Sequence, residues 1–272
     1  MARFAVIPQW QGSPSTRAMS LVDGADAIAG DLPRAACTRI DVPYEAGETL
    51  DTGVQRASTL RRIRRRVDEA LEALPDEPLI TIGGDSGVAV PAIGRAGAAD
   101  DLAVVWFDAH AALHDPATSP SGAFSGMALR AVLGDGAEEL VLSPGVPVER
   151  VVLAGARALE DAESAFIEES GLAHLNPLPA ASGVADAVSA TGASRVFIHV
   201  DLDVLDPAQI AGVSGAQPFG VDGDELIEAI AAIRERLPLA GASLAGFAPH
   251  APGDAVDDLG TILRIIGALA RA

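Results

Sequence analysis

The chain is expected to fold as an α/β protein around a parallel sheet, and three features of its sequence carry that expectation. Short apolar or β-branched runs alternate with longer segments of helical period, which is the signature of βαβ units. The 272 residues are 49% hydrophobic and 21% charged, enough to bury a full core and unlike a disordered or repetitive chain. No internal repeat or linker-like tract divides the chain, so it reads as one domain over residues 1–272.

Strands are expected near residues 4–8, 38–42, 79–83, 102–108, 150–154, 195–200 and 243–247, with a further short one near Leu172. Helices are expected over 16–28, 51–74, 88–95, 126–133, 160–170, 183–190, 224–237 and 258–270. The helix at 51–74 carries Arg61, Arg62, Arg64, Arg65 and Arg66, a cluster that invites an anion-binding reading. Leu60, Ile63, Val67, Leu71 and Leu74 recur at three- and four-residue spacing. The arginines therefore fall on the opposite, solvated face, answered by Asp68, Glu69 and Glu72. Two segments, 109–125 and 202–223, lack periodicity and are rich in Gly, Pro and Ser. In an α/β protein such loops carry function more often than connection alone.

Nineteen basic residues, all arginine, against 38 acidic ones leave a formal charge of -19, which repels phosphate backbones and anionic lipid surfaces. A nucleic-acid or membrane partner is not expected; a small-molecule ligand is. The single cysteine, Cys37, cannot form an intrachain disulfide or a thiolate metal cluster. The opening Met1 to Pro8 has an apolar run too short for a signal-peptide core, and no later stretch reads as a bilayer span, so a cytoplasmic location is expected.

The chemistry-bearing residues gather at expected strand ends. After the third strand come Gly83-Gly84-Asp85-Ser86, after the fourth Phe107-Asp108-Ala109-His110, and after the sixth His199-Val200-Asp201-Leu202-Asp203-Val204-Leu205-Asp206-Pro207. Parallel sheets bind ligands at that edge. Alternate side chains of a strand share a face, so His199, Asp201 and Asp203 are expected to point one way, as are Asp108 and His110. Taken singly, each piece has an ordinary structural role: Asp85 as a helix cap, Asp206-Pro207 as a turn, a lone histidine as a core residue. Together they crowd carboxylates into one crevice, where they resist ionising unless a cation neutralises them. Imidazole plus carboxylate oxygens suits Mn²⁺ or Zn²⁺, whereas Ca²⁺ would want more oxygens.

Gly-Gly-Asp, Asp-Ala-His and Asp-x-Asp-x-x-Asp-Pro, in this order, resemble the motifs of the ureohydrolase superfamily, which includes arginase, agmatinase and formimidoylglutamase. The resemblance implies a three-layer α/β/α sandwich with a central, mainly parallel sheet, assembled as a homo-oligomer, a trimer or hexamer. It also implies a pair of Mn²⁺ ions activating a bridging hydroxide that attacks a guanidinium or amidine carbon. Carried across by motif, Asp108, His110, Asp201 and Asp203 match the ligands of one ion, with Asp108 and Asp201 bridging to the other.

This chain departs from the family pattern at four positions. Ser86 stands where the family has a histidine ligand of the first ion, and Ala112 where it has an aspartate ligand. One Mn²⁺ is therefore expected rather than two, with Zn²⁺ as the substitute. Ser125 replaces the proton-shuttling histidine, which removes a general acid, and Gly246 replaces the glutamate that pairs with a guanidinium. His114 and His250 are the remaining imidazoles near the crevice and are expected, if either serves, as a replacement ligand or proton donor.

Two functions stand against each other on these residues. One is a metal-dependent hydrolase of C–N bonds in a guanidino- or amide-type small molecule, not a true arginase. The related single-Zn²⁺ deacetylases make an amide substrate conceivable, but their mechanism uses a His-His pair absent here and a tyrosine, of which Tyr44 is the only one. The alternative is an inactive ureohydrolase-fold protein retained for binding or assembly.

Overall fold

The computed structural model of the chain describes residues 2–97 and 101–271. Its strands are β1 (Arg3–Ile7), β2 (Cys37–Arg39), β3 (Leu79–Gly83), β4 (Leu102–Phe107), β5 (Val151–Ala154), β6 (Ala173–Leu175), β7 (Arg195–Asp201) and β8 (Leu239–Ala245). They form one eight-stranded sheet in the order β2-β1-β3-β8-β7-β4-β5-β6, with every neighbouring pair parallel. The helices are α1 (Ser20–Asp31), α2 (Ala57–Glu72), α3 (Ala89–Ala96), α4 (Ala128–Val132), α5 (Asp161–Ser170), α6 (Ala181–Ala190), α7 (Gly223–Arg236) and α8 (Ala255–Ala270).

Both faces of the sheet are covered, which is why the strands read as continuous apolar runs rather than alternating ones. On one face Val105, Phe107, Ile198, Val200 and Leu244 pack with Ile28 of α1, Val184 of α6, Ile230 of α7 and Ile262 of α8. On the other, Val104, Trp106 and Phe197 pack with Leu60 of α2, Ile93 of α3 and Leu129 of α4. The arginine-rich helix α2 buries the face that its periodicity predicts, but Arg61 and Arg64 are half-buried rather than solvated, Arg61 pairing with Glu139 and Arg64 donating to the Leu140 carbonyl. Leu60, Ile63, Val67 and Leu71 are buried, while Arg62, Arg65 and Arg66 are exposed and Arg64 bonds Asp68 at 2.9 Å.

Several boundaries differ from the sequence expectation for local backbone reasons. Helix α2 starts at Ala57 rather than residue 51, because Leu50, Asp51 and Arg56 take φ of +55°, +55° and +57°, which no right-handed helix accommodates. Strand β8 starts four residues earlier than expected and stops at Ala245. Gly246, at φ +88°, turns the chain before Phe247. The short strand expected near Leu172 is β6, one residue on.

The order of strands places β3, β8, β7 and β4 side by side, so the segments that follow them meet at one edge. Gly84 makes that edge compact. Its N–H donates to Ile7 O at 3.1 Å and its carbonyl accepts from Gly246 N at 2.9 Å. A Cβ on Gly84 would lie 1.8 Å from the Gln9 carbonyl oxygen. Because backbone cannot yield as a side chain can, Gly84→Ala is expected to cost about 3 kcal/mol. Urea denaturation should show a lower midpoint at unchanged slope.

Candidate metal centre

Strand β4 ends at Phe107, and Asp108 follows directly, its carboxylate on the same face as Trp106. The Trp106 indole Nε1–H donates to Asp108 Oδ2 at 3.0 Å, and the His110 backbone N–H donates to Oδ1 at 2.8 Å. Strand β7 carries His199 and Asp201 on one face, as alternation requires. Asp203 reaches the site differently from the expected strand continuation. The chain enters a 3-10 turn at Leu202–Val204, where the Asp203 N–H donates to Asp201 Oδ1 at 3.2 Å. The Asp203 carboxylate then takes the Ala109 N–H at 3.0 Å and lies 2.8 Å from His110 Nδ1.

The four expected ligands do not form a single tetrad. Asp108, His110 and Asp203 each offer an atom within 4.8 Å of the others, whereas Asp201 groups at that spacing with Asp108 and His199. The two groups share Asp108. Asp108, Asp201 and Asp203 are all buried, and burial is the main cause that raises their carboxyl pKa values: Asp201 to about 7 and Asp203 to about 6, each with a neighbouring carboxylate adding to it. Burial alone would lower His110, but the Asp108 and Asp203 carboxylates raise it to about 11. Three carboxylates thus share one imidazolium, and a set of hard oxygens plus imidazole fits a divalent first-row ion.

These residues floor a cavity of about 550 Å³ whose lining includes Ser86, Ala112, His114, Ser125, Glu160, Glu163 and Gly246. The four departures noted in sequence therefore all face one space. Ser86 Oγ donates to Asp201 Oδ2 at 2.5 Å. Ala112 sits buried at φ +54°. Gly246 leaves room for Asp201, since a Cβ there would lie 2.1 Å from Asp201 Oδ1. Asp85 caps the turn after β3, accepting from Gln9 Nε2, Gly12 N and Gly87 N, and burial pushes it up to about 6.

His114 and His250 separate in space. His114 is buried on the cavity wall, its Nε2 3.4 Å from Glu160 Oε2, and it belongs to neither ligand group. His250 is exposed, lies outside the cavity lining and bonds Arg17 instead.

Sequence reasoning missed Glu160, Glu163 and Arg157. The two glutamates enter through the start of α5, where Glu163 takes the N–H groups of Leu113 and Glu160 at 3.1 Å each. A Glu-x-x-Glu opening a helix was the available signal. Arg157 donates to the carbonyls of Asp203, Val204, Gln217 and Pro218 at 2.8 to 3.1 Å, knitting the segment that carries Asp203. Nothing local to Arg157 announces this, because its partners lie some 50 residues further on.

Fold and site define an α/β protein with an acidic, metal-type centre at the strand ends. The arginase family model matches residues 11–257, and the chain belongs to that family. It is 35% identical to an arginase of Bacillus subtilis over 165 residues, 56% of this chain and 54% of that one. It is 34% identical to an arginase of Bacillus caldovelox over 193 residues, 64% of each chain. Those matched stretches cover just over half to just under two thirds of the relatives' lengths. The crystal structure of Entamoeba histolytica arginase in complex with L-ornithine superposes with a TM-score of 0.85 at 19% identity, covering 99% of both chains, which shows the shared fold.

Raised carboxylates favour the metal-free folded chain at low pH, and that contribution is lost as pH rises from about 4 through about 7. An entering ion must displace those protons. The rise in Tm on adding Mn²⁺ is therefore expected to shrink steadily as the pH falls from about 8 towards about 5. Thermal scans with and without Mn²⁺ test this, and an increment that does not vary with pH would contradict it.

Proposed function

We propose that this chain is a metal-dependent hydrolase of C–N bonds in a guanidino- or amide-type small molecule, with arginine a poor substrate. The observation that carries the proposal is the meeting of Asp108, His110, Asp201 and Asp203 on the floor of one cavity. Asp108, His110 and Asp203 would hold Mn²⁺, or Zn²⁺ in its place. When bound, the ion supplies Lewis acidity and lowers the pKa of water at the substrate carbon.

The chain's own residues set the rest. Trp106 and the Ala109 and His110 backbone N–H groups hold the Asp108 and Asp203 carboxylates in place before any ligand arrives. Glu160 is the more open of the two cavity glutamates, its side chain 57% exposed against 5% for Glu163. It gives a cationic substrate its counter-charge on the wall. With serine at position 125, His114 is the cavity imidazole outside the ligand groups, and it is assigned the proton to the leaving nitrogen. The absence of a glutamate at 246 leaves any guanidinium without a partner near the floor, arginine's included, so the counter-charge must come from Glu160 on the wall. A cytoplasmic homo-oligomer of the kind the family resemblance implies is part of the same proposal, and no helix among the described residues is long and apolar enough to cross a membrane.

The four substituted positions on the cavity wall favour a second reading, in which the fold binds a ligand without turning it over. Purified chain loaded with Mn²⁺ and assayed against arginine, agmatine, guanidinobutyrate and simple acetylated amines separates them. Turnover of a non-arginine substrate is expected. It should fall by about 100-fold in His114→Gln with metal content unchanged, in the range that one general acid contributes. Metal retained with no turnover on any of these would favour the binding reading.

Gly246→Glu is not expected to restore arginine hydrolysis. The position combines φ +88° with a Cβ 2.1 Å from Asp201, so the new side chain would displace Asp201 before it could meet a guanidinium. Urea release from arginine by the variant at rates well above the unaltered chain would show otherwise.

A further inference from the structure

His199 is completely buried, between Trp106 on β4 and Ser243 on β8, its direct partners in the sheet register. Its ring lies 3.8 Å from the Trp106 ring centroid at 38°. Nδ1 is 2.8 Å from Ser243 Oγ, and Nε2 has no hydrogen-bond partner. A ring nitrogen left unpaired in a dry core is costly, and such groups call for a reason. A ring nitrogen of His199 and one carboxylate oxygen each from Asp108 and Asp201 lie within 4.8 Å of one another, close to twice a metal–ligand bond of about 2.1 Å. Since Nδ1 is engaged by Ser243, Nε2 is the nitrogen free for that trio.

We propose that the chain builds a second divalent-ion seat from Asp108, Asp201 and His199 Nε2, in place of the one that Ser86 and Ala112 do not supply. The inference rests on the reading of Asp108, His110 and Asp203 as the first seat, with Asp108 shared between the two.

The surroundings match what such a ligand needs. An imidazole that binds a metal through one nitrogen usually donates its other N–H to an oxygen, and Ser243 Oγ stands at Nδ1. The Ser86 hydroxyl donates to Asp201 Oδ2, which turns a lost ligand position into one that orients another ligand. The seat offers one nitrogen and carboxylate oxygens, a donor set for Mn²⁺ or Zn²⁺ rather than for a soft ion. Neither Trp106 nor His199 lines the open cavity, so this ion would sit beneath the floor, against the indole.

The test is metal counting on the full chain, chelated and then equilibrated with Mn²⁺ or Co²⁺, with bound ion measured by plasma mass spectrometry and Co²⁺ followed by its visible absorption. The unaltered chain is expected to bind two ions, and His199→Gln and His110→Ala one each. Ser243→Ala should keep two seats but weaken one of them by about 10- to 100-fold. One ion in the unaltered chain, lost in His110→Ala and retained in His199→Gln, would overturn the second seat and leave the first standing. Two ions that persist in His199→Gln would also overturn it. No ion in any form would overturn the metal reading beneath both. Should His199→Gln fail to fold by circular dichroism, Ser243→Ala decides, and unchanged affinity there rejects the seat.

Discussion

Buried negative charge is the constraint on which the rest of this structure depends. Asp108 lies within 4.8 Å of Asp201 on one side and of Asp203 on the other, all three buried at the ends of neighbouring strands, with His110 set between Asp108 and Asp203. Carboxylates in such a place either take up protons or attract a cation, and the raised values of all three express that tension. The surrounding chain relieves part of it with fixed donors. Backbone N–H groups from Ala109, His110 and Asp203, the Trp106 indole and the Ser86 hydroxyl each point at one of these oxygens.

Those donors are in place because of the architecture beneath them. The four strands whose ends feed the centre are neighbours, although their chain order is third, eighth, seventh and fourth. Gly84 and Gly246 let two of the strand ends touch backbone to backbone, and Arg157 gathers the carbonyls of the segment bearing Asp203. A strained or glycine-dependent backbone at the edge of a rigid sheet is a common way to hold a site in one geometry.

The departures from the family pattern are mutually consistent. The serine at 86 is engaged with Asp201, and the glycine at 246 lies so close to that carboxylate that any larger residue would move it. Ala112 holds a left-handed conformation while burying its methyl group. The floor has been rebuilt around Asp201 rather than left with holes, and His199, directly below, is placed to take part in the same arrangement.

Much of this was legible in the chain itself. Short apolar runs alternating with helical periodicity identified the parallel α/β class and the buried face of α2, because run length and a 3.6-residue repeat are local properties. Asp-x-His and Asp-x-Asp-x-x-Asp-Pro marked the acidic centre, since carboxylates this dense after apolar strands have few other uses. What sequence could not decide was which groups meet. Asp201 and Asp203, two residues apart, were expected to share a strand face, yet a 3-10 turn sends one towards His110 and leaves the other with His199. His114 and His250 looked equivalent until the sheet put one in the cavity wall and the other against Arg17. Glu160 and Arg157 gained their roles from partners far along the chain. Local pattern is written in neighbouring residues, while convergence depends on strand order and on the angle at which each loop leaves the sheet, and these exist only once the whole core has packed.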